Sequence, residues 1–313
     1  MAISFRLFEA LRPSNQVTQA TRSLVKNTAA SPLLLVLGAA ILWSTGGLFI
    51  KATSLSAFEL SFGRSLLAAI TIAIVTRHEG FGLNRISAVT SILYAALLIL
   101  FVLATKLTTA ANAIFLQYTA PVYVLILEPL FYREKFRLRD LITVAVCVAG
   151  MSLFFVGKLR PQDVDGNLVA LASGVCFALF FLLLRHSKAR DVNRASSAIY
   201  GNLIVVLVCA PAFLSAMRRG ISTSDLSCIA YLGIVQIGVA YLLFTLAMAR
   251  GLRSLDASIV GYIEPVLNPI WVFLFIGERP SGWAILGGAI IIVSVLAHMI
   301  LSAKAKRNQA SVY

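Results

Sequence analysis

Hydrophobic and polar positions do not alternate along this chain; they come in blocks. From Leu33 onward, long apolar stretches are separated by short connectors that hold most of the charge. A helix needs about 20 mainly apolar residues to cross a bilayer. Ten stretches fit: 33–50, 57–76, 88–105, 112–131, 140–157, 168–185, 195–215, 226–247, 255–276 and 282–302. Membrane β-strands would instead read as alternating segments of roughly 10 residues, so a β-barrel is excluded. The pattern predicts an all-α polytopic membrane protein with ten transmembrane helices and no soluble domain. Two tails flank it, 1–32 and 303–313. In the first, Ile3, Leu7, Phe8 and Leu11 fall at helical spacing and predict a short amphipathic helix on the membrane surface. The tail lacks a signal-peptide layout, and its Arg and Ser with a single acid, Glu9, leave an organelle transit peptide as the alternative reading.

Composition narrows the class. Charged residues make up 13% of the chain and hydrophobic residues 59%, against about 25% and 45–50% in soluble domains. A soluble globular enzyme, a disordered chain, a collagen-like repeat and a disulfide scaffold are all excluded. The net charge of +14 would point to nucleic acid in a soluble protein, but no basic stripe with interleaved aromatics lies outside the apolar blocks. Lys and Arg instead sort by connector. Alternate connectors, starting from the N-terminal tail, carry 19, the other set carries 7, and Arg64 lies inside a segment. The positive-inside rule then puts both termini in the cytoplasm. Cys147, Cys176, Cys209 and Cys228 lie in or beside apolar stretches without a C-x-x-C pair. They read as packing residues, so neither a metal site nor a cofactor is expected.

An internal repeat is visible. Shifting the chain by 144 residues lays 113–134 on 257–278 with eight of 22 positions identical. The informative matches are Tyr118 on Tyr262, Pro121 on Pro265 and Glu134 on Glu278, and Lys106 falls on Arg250 at the same shift. With small gaps, Trp43 falls on Phe177, Lys51 on Arg185 and Phe62-Gly63 on Tyr200-Gly201. The repeats are 33–157 and 168–302. Five helices is an odd number, so the second repeat enters the membrane from the opposite side. The loop after the fourth segment carries Arg133, Lys135, Arg137 and Arg139, whereas its mate after the ninth carries only Arg279. Inverted repeats are the signature of alternating-access carriers, with the substrate near the midplane between the repeats.

Two five-helix repeats, each with a proline thirteen residues before a glutamate (Pro121 to Glu134, Pro265 to Glu278), resemble the EamA-type carriers of the drug/metabolite transporter superfamily. Trp43 in the first segment and Arg64 with Ala68-Ala69 in the second match as well. The likeness covers nearly all of 33–302. It implies a carrier of amino acids or other metabolites, more often an exporter than an importer, and leaves the substrate unspecified.

Several residues carry candidate chemistry. Pro121, Pro265 and Pro269 each remove a helix hydrogen bond and are expected to break the fourth and ninth segments into hinges. A static kink is the plainer reading. Glu264 sits mid-segment, where a carboxylate is disfavoured by roughly 2.5–3.5 kcal/mol, and its repeat mate is Ala120. It is assigned to a substrate amine or a proton, against the alternatives of an ion pair with Arg64 or a protonated acid bonded to a neighbouring helix. Asn268, one turn on, shares its face. Arg64 is expected in a structural pair, with substrate binding as the alternative, Glu128 as a structural residue that can reach the interface beside Arg133, and Glu134 and Glu278 as loop caps or gate salt bridges. Trp43, Tyr94, Gln117, Tyr118, Phe177, Tyr241 and Tyr262 are expected to line the cavity, with helix packing as the alternative, and Gln236 adds a polar position. Gly166, Ala170, Gly174 and Ala178 form a small-residue stripe for close helix approach.

No H-E-x-x-H or G-x-S-x-G constellation supports an intramembrane enzyme, and no phosphate-binding loop supports a primary pump. A channel would show a filter or a charge ring. The reading is a secondary transporter of a small metabolite, an amino acid or related solute, exported by alternating access. An importer or exchanger of the same fold is the alternative. Its partners are the lipid bilayer, the substrate and, where coupled, a proton. The expected home is a bacterial inner membrane, as monomer or homodimer.

Overall fold

The computed structural model describes residues 31–133, 136–156, 164–277 and 281–310. The expected amphipathic helix of the N-terminal tail, Glu134 and Glu278 lie outside them. Among the described residues, nine helical stretches are long and apolar enough to cross a membrane. The remaining predicted segment is helical too, but shorter: α7, Leu138–Ser152, tightens into a 3-10 turn at Leu153–Phe155.

Several predicted segments are not single helices. The first is α1, Pro32–Trp43, and α2, Gly46–Ala52. The second and third are α3, Ala57–Thr76, and α4, Arg85–Leu107. The fourth is split into α5, Ala110–Gln117, and α6, Ala120–Tyr132. After α7 come α8, Val164–Leu184, and α9, Ser196–Arg219. The eighth runs continuously through α10, Thr223–Ala230, a π-helical stretch, Tyr231–Val239, and α11, Ala240–Ala249. The ninth is split into α12, Ser254–Gly261, and α13, Ile263–Ile276, and α14 is Gly282–Ala310.

Local sequence explains the starts and breaks. Ser56 with Glu59, and Asn84 with Ser87, form capping boxes on α3 and α4, which satisfy two orphan N–H groups each. At the breaks, Pro121 and Pro265 fall in the first turn of α6 and α13, where a missing N–H is harmless. Hydroxyls close the freed carbonyls: Thr119 Oγ1 donates to Leu116 O at 2.7 Å, Ser44 Oγ to Ile41 O at 2.6 Å and Thr45 Oγ1 to Leu42 O at 2.7 Å. Such closure is what lets a backbone leave helical geometry in an apolar medium. The break expected at Pro269 is absent, and α13 continues through it. That proline removes only the bond to the Pro265 carbonyl while the flanking turns keep theirs.

The packing pairs are α4 with α8, α1 with α11, α9 with both α3 and α4, α3 with the π-helical stretch, and α7 with α14; α5 and α6 also lie on α8, α12 and α13 on α1, and α6 on α12. Exchanging each segment for its repeat mate turns these pairs into one another; the neighbouring pairs α3–α4 and α4–α5 break the symmetry, being closer than their mates. The small-residue stripe of α8 packs inside the monomer: a Cβ on Gly174 would lie 2.8 Å from Gln117 O, and one on Gly166 2.9 Å from Thr108 N. Large apolar side chains such as Leu130, Leu207 and Phe275 stay exposed, as lipid-facing positions do. Trp283 is exposed at a helix start, as expected of an interfacial belt residue.

Candidate functional site

A cavity of about 30 Å³ lies between the two halves, walled by Trp43 from α1, Arg64 from α3, Leu97, Leu98 and Phe101 from α4, Gln117 from α5, Phe177 from α8, Gln236, Ile237 and Tyr241 from the eighth segment and Glu264 from α13. That volume holds on the order of two waters. Its lining residues are buried, and a metabolite does not fit until the walls move.

The aromatic wall is continuous. Trp43 meets Tyr241 at 4.9 Å, Phe244 at 5.4 Å and Phe177 at 6.0 Å between ring centroids. Tyr94 stands behind it, edge-on to Tyr241 at 4.7 Å, with its hydroxyl 3.4 Å from Asn202 Nδ2. Tyr118 and Tyr262 are paired at 5.9 Å at the two helix breaks. Of the nine residues expected to bind substrate, Trp43, Gln117, Phe177, Tyr241 and Glu264 line this cavity, and Tyr94, Tyr118 and Tyr262 back it. Asn268 does not reach it. It lines a second cavity of about 30 Å³ with Ile114, Phe115, Met151, Phe154, Pro265 and Pro269. An i+4 position shares a face but sits one turn, about 5.4 Å, further along the axis.

The polar groups of the main cavity are incompletely satisfied. Glu264, 4% exposed, accepts from Tyr118 Oη at 2.6 Å through Oε2. Arg64, 1% exposed, donates from Nη2 to Leu98 O at 3.2 Å. Its Nε has no partner, nor have Trp43 Nε1 and Gln236 Oε1. The expected Arg64–Glu264 ion pair is not formed: among the described residues no carboxylate lies within 4.0 Å of the Arg64 guanidinium. Gln117 is held by its Nε2 donating to Ser173 Oγ at 2.7 Å. Reading the sequence alone undervalued Arg64, assigned to structure, and missed three further residues of α4, Leu97, Leu98 and Phe101, which are indistinguishable from packing residues.

Both ends of the molecule are tied across the halves. At one end Glu128, fully buried, accepts from Arg185 Nη1 and Arg253 Nη2 at 3.0 Å each and from Leu255 N at 3.3 Å. Arg253 Nη1 also reaches Asp140 at 3.1 Å, and Asp256 meets His298 Nε2 at 3.0 Å. Burial opposes the charge of Arg253, but Glu128, Asp256 and Asp140 outweigh it and hold its proton more tightly than usual. Glu128, expected as a structural residue reaching the interface beside Arg133, is structural but buried at the centre of this cluster. At the other end Asp225 accepts from Thr53 Oγ1 at 2.5 Å, Ser54 Oγ at 2.7 Å and Ser54 N at 2.9 Å, and Glu59 pairs with Arg219. Among the described residues no cluster of His, Cys, Asp and Glu could hold a metal ion.

Known proteins place this architecture. One solved structure aligns over 88% of this chain and 98% of its own with a TM-score of 0.71 at 19% identity, a likeness of fold. The chain is 24% identical to the transporter YxxF of Bacillus subtilis, covering 92% of this chain and 93% of that protein. It is 26% identical to the pseudopaline exporter CntI of Pseudomonas aeruginosa, covering 88% and 98%. It is 24% identical to a probable terminal-alkyne amino-acid exporter of Streptantibioticus cattleyicolor, covering 60% and 63%. The family model described as the EamA-like transporter family matches twice, at 30–156 and 165–300. With both halves matched, this membrane protein, a transporter and not an enzyme, belongs to the EamA-like transporter family.

Proposed function

We propose that the chain is a ten-helix secondary transporter whose two inverted repeats, 33–157 and 168–302, rock about the cavity between them. The segment 138–155 counts as the fifth crossing, and both termini face the cytoplasm of a bacterial inner membrane. The substrate is a small polar or amphipathic metabolite, an amino acid or related solute, and the direction is export. The observation that carries this is the cavity itself: an aromatic-walled chamber between the halves, with a buried Arg64 and Glu264 that are not paired to each other. Packing pairs that survive exchange of the halves support the repeat. The names of the two exporters above support the substrate class.

In this reading the Glu128 cluster and the Asp225 cluster are the two gates, and the breaks at Tyr118 and Tyr262 are the hinges. Tyr118 holds Glu264 until substrate or a proton takes its place. Liposomes carrying the purified protein test it by counterflow of labelled metabolites, weighted to amino acids, with and without an imposed pH gradient. Accumulation of one chemical class is expected, and dependence on the gradient assigns the proton to Glu264. Folded protein that moves no member of the panel overturns the reading.

A further inference from the structure

We infer that Arg64 and Glu264 read opposite ends of one zwitterion, Arg64 taking its carboxylate and Glu264 its ammonium. The inference rests on the carrier reading above and gives its site a charge polarity.

Polar groups of the cavity wall make the case. Arg64 Nε and Trp43 Nε1 are buried donors without a partner, and Gln236 Oε1 is a buried acceptor without one. The Glu264 carboxylate is held by the Tyr118 hydroxyl through Oε2. Arg64, Trp43, Gln236 and Glu264 all line the same chamber. Buried polar groups are nearly always bonded. Three unmade bonds beside a buried carboxylate in one cavity are a set reserved for something that enters.

Charge then selects what enters. A guanidinium this deep needs a counter-charge, and no described carboxylate lies within 4.0 Å to supply it. The planar fork of arginine matches a carboxylate bidentately. A monocarboxylate would meet Arg64 but leave Glu264 unmatched. A monoamine would meet Glu264 but bring a second positive charge beside Arg64. A zwitterion satisfies both residues and adds no net charge. The remaining walls, Trp43, Phe177, Tyr241 and Phe101, offer its side chain an apolar and aromatic surface. Because Arg64 belongs to the first half and Glu264 to the second, a bound zwitterion bridges the halves that must move together.

The test uses matched triplets with the purified full chain: leucine, isoamylamine and isocaproate; phenylalanine, phenethylamine and hydrocinnamate. Binding is read by thermal shift and by tryptophan fluorescence, and flux separately by counterflow in liposomes. The zwitterion of at least one triplet is expected to bind, and its single-charge analogues not. Arg64→Gln should weaken zwitterion binding roughly 10- to 150-fold, the worth of a hydrogen bond to a charged group, and erase its advantage over the amine. Glu264→Gln should erase the advantage over the acid. Should Arg64→Gln fail to fold, Arg64→Lys keeps the charge without the fork and should bind the zwitterion more weakly while still preferring it to the amine. Unchanged zwitterion affinity in the Arg64 variants, a wild type that binds either single-charge analogue as tightly, or no binding in any triplet overturns the inference. Zwitterion binding with this pattern but no counterflow leaves the inference standing and removes the carrier reading. Counterflow of a solute without both charges does the reverse.

Discussion

Replacing Glu128 by alanine should unlatch one end of the molecule. Its carboxylate is fully buried and accepts from Arg185 and Arg253 at 3.0 Å and from Leu255 N at 3.3 Å. Removing one partner of a buried ion pair typically costs about 3–5 kcal/mol. Two features place this case near the lower edge. Arg253 keeps Asp140 at 3.1 Å, and the Arg185 side chain, 16% exposed, reaches some water. A penalty of about 3 kcal/mol on the closed conformation changes its ratio to the open one by roughly 150-fold. The assay is alkylation of a single cysteine at Leu125→Cys, beside the small cavity that Glu128 and Asp140 line, in a background with Cys147, Cys176, Cys209 and Cys228 replaced. Its labelling rate should rise by one to two orders of magnitude in Glu128→Ala, and Arg253→Ala added on top should raise it much less than additively, because the two share one interaction. An unchanged labelling rate, or strict additivity, refutes the idea that this cluster holds the end shut.

Three further outcomes follow from particular contacts. Tyr118→Phe leaves Glu264 without its donor and should lower the thermal midpoint, whereas Tyr262→Phe removes a buried hydroxyl that has no partner and should be neutral or stabilising by up to about 1–3 kcal/mol in chemical unfolding. Gly174→Ala forces a methyl to 2.8 Å from Gln117 O and should destabilise by roughly 1–3 kcal/mol, while Gly282→Ala, with nothing within 4 Å, should leave the melting curve unmoved. Asp225→Ala breaks three bonds to Thr53 and Ser54 at the other end, so the neighbouring native Cys228, 7% exposed, should react faster with maleimide; an unaltered rate would remove this cluster as a gate.

Much of this was legible in the sequence because the bilayer writes long apolar blocks, and because Pro121 and Pro265 mark helix breaks by a mechanism that acts locally. The break in the first segment was not legible: Ser44 and Thr45 sit between Trp43 and Gly46-Gly47, and only their hydroxyl bonds to Ile41 and Leu42, visible in three dimensions, make the break tolerable. The π-helical stretch that carries Gln236 has no sequence signal either. Asn268 was read as a neighbour of Glu264 from its spacing, which fixes the helix face but not the depth. Arg64 was read as half of a structural pair because an arginine in an apolar segment demands a partner; the sequence states the demand but not whether a side chain or a ligand meets it. The partners of Glu128 were not legible for a related reason, since Arg185 and Arg253 lie 57 and 125 positions away.

The pseudo-symmetry sharpens the meaning of what is not symmetric. Tyr118 and Tyr262 occupy equivalent breaks, each just before its half-helix proline. Two residues beyond each tyrosine the halves differ: Ala120 in the first, Glu264 in the second. The consequence is visible in the hydroxyls, one bonded to a carboxylate and the other orphaned. An unpartnered buried tyrosine hydroxyl is a liability of about 1–3 kcal/mol, yet a phenylalanine would remove it. A frame that keeps this hydroxyl, places one carboxylate where its mate has a methyl, and leaves an arginine unpaired in the same chamber is asymmetric at its centre. In the carrier reading proposed above, a rocking motion between two alike halves needs only the shared breaks, and the unshared charges suit a cargo with distinguishable ends.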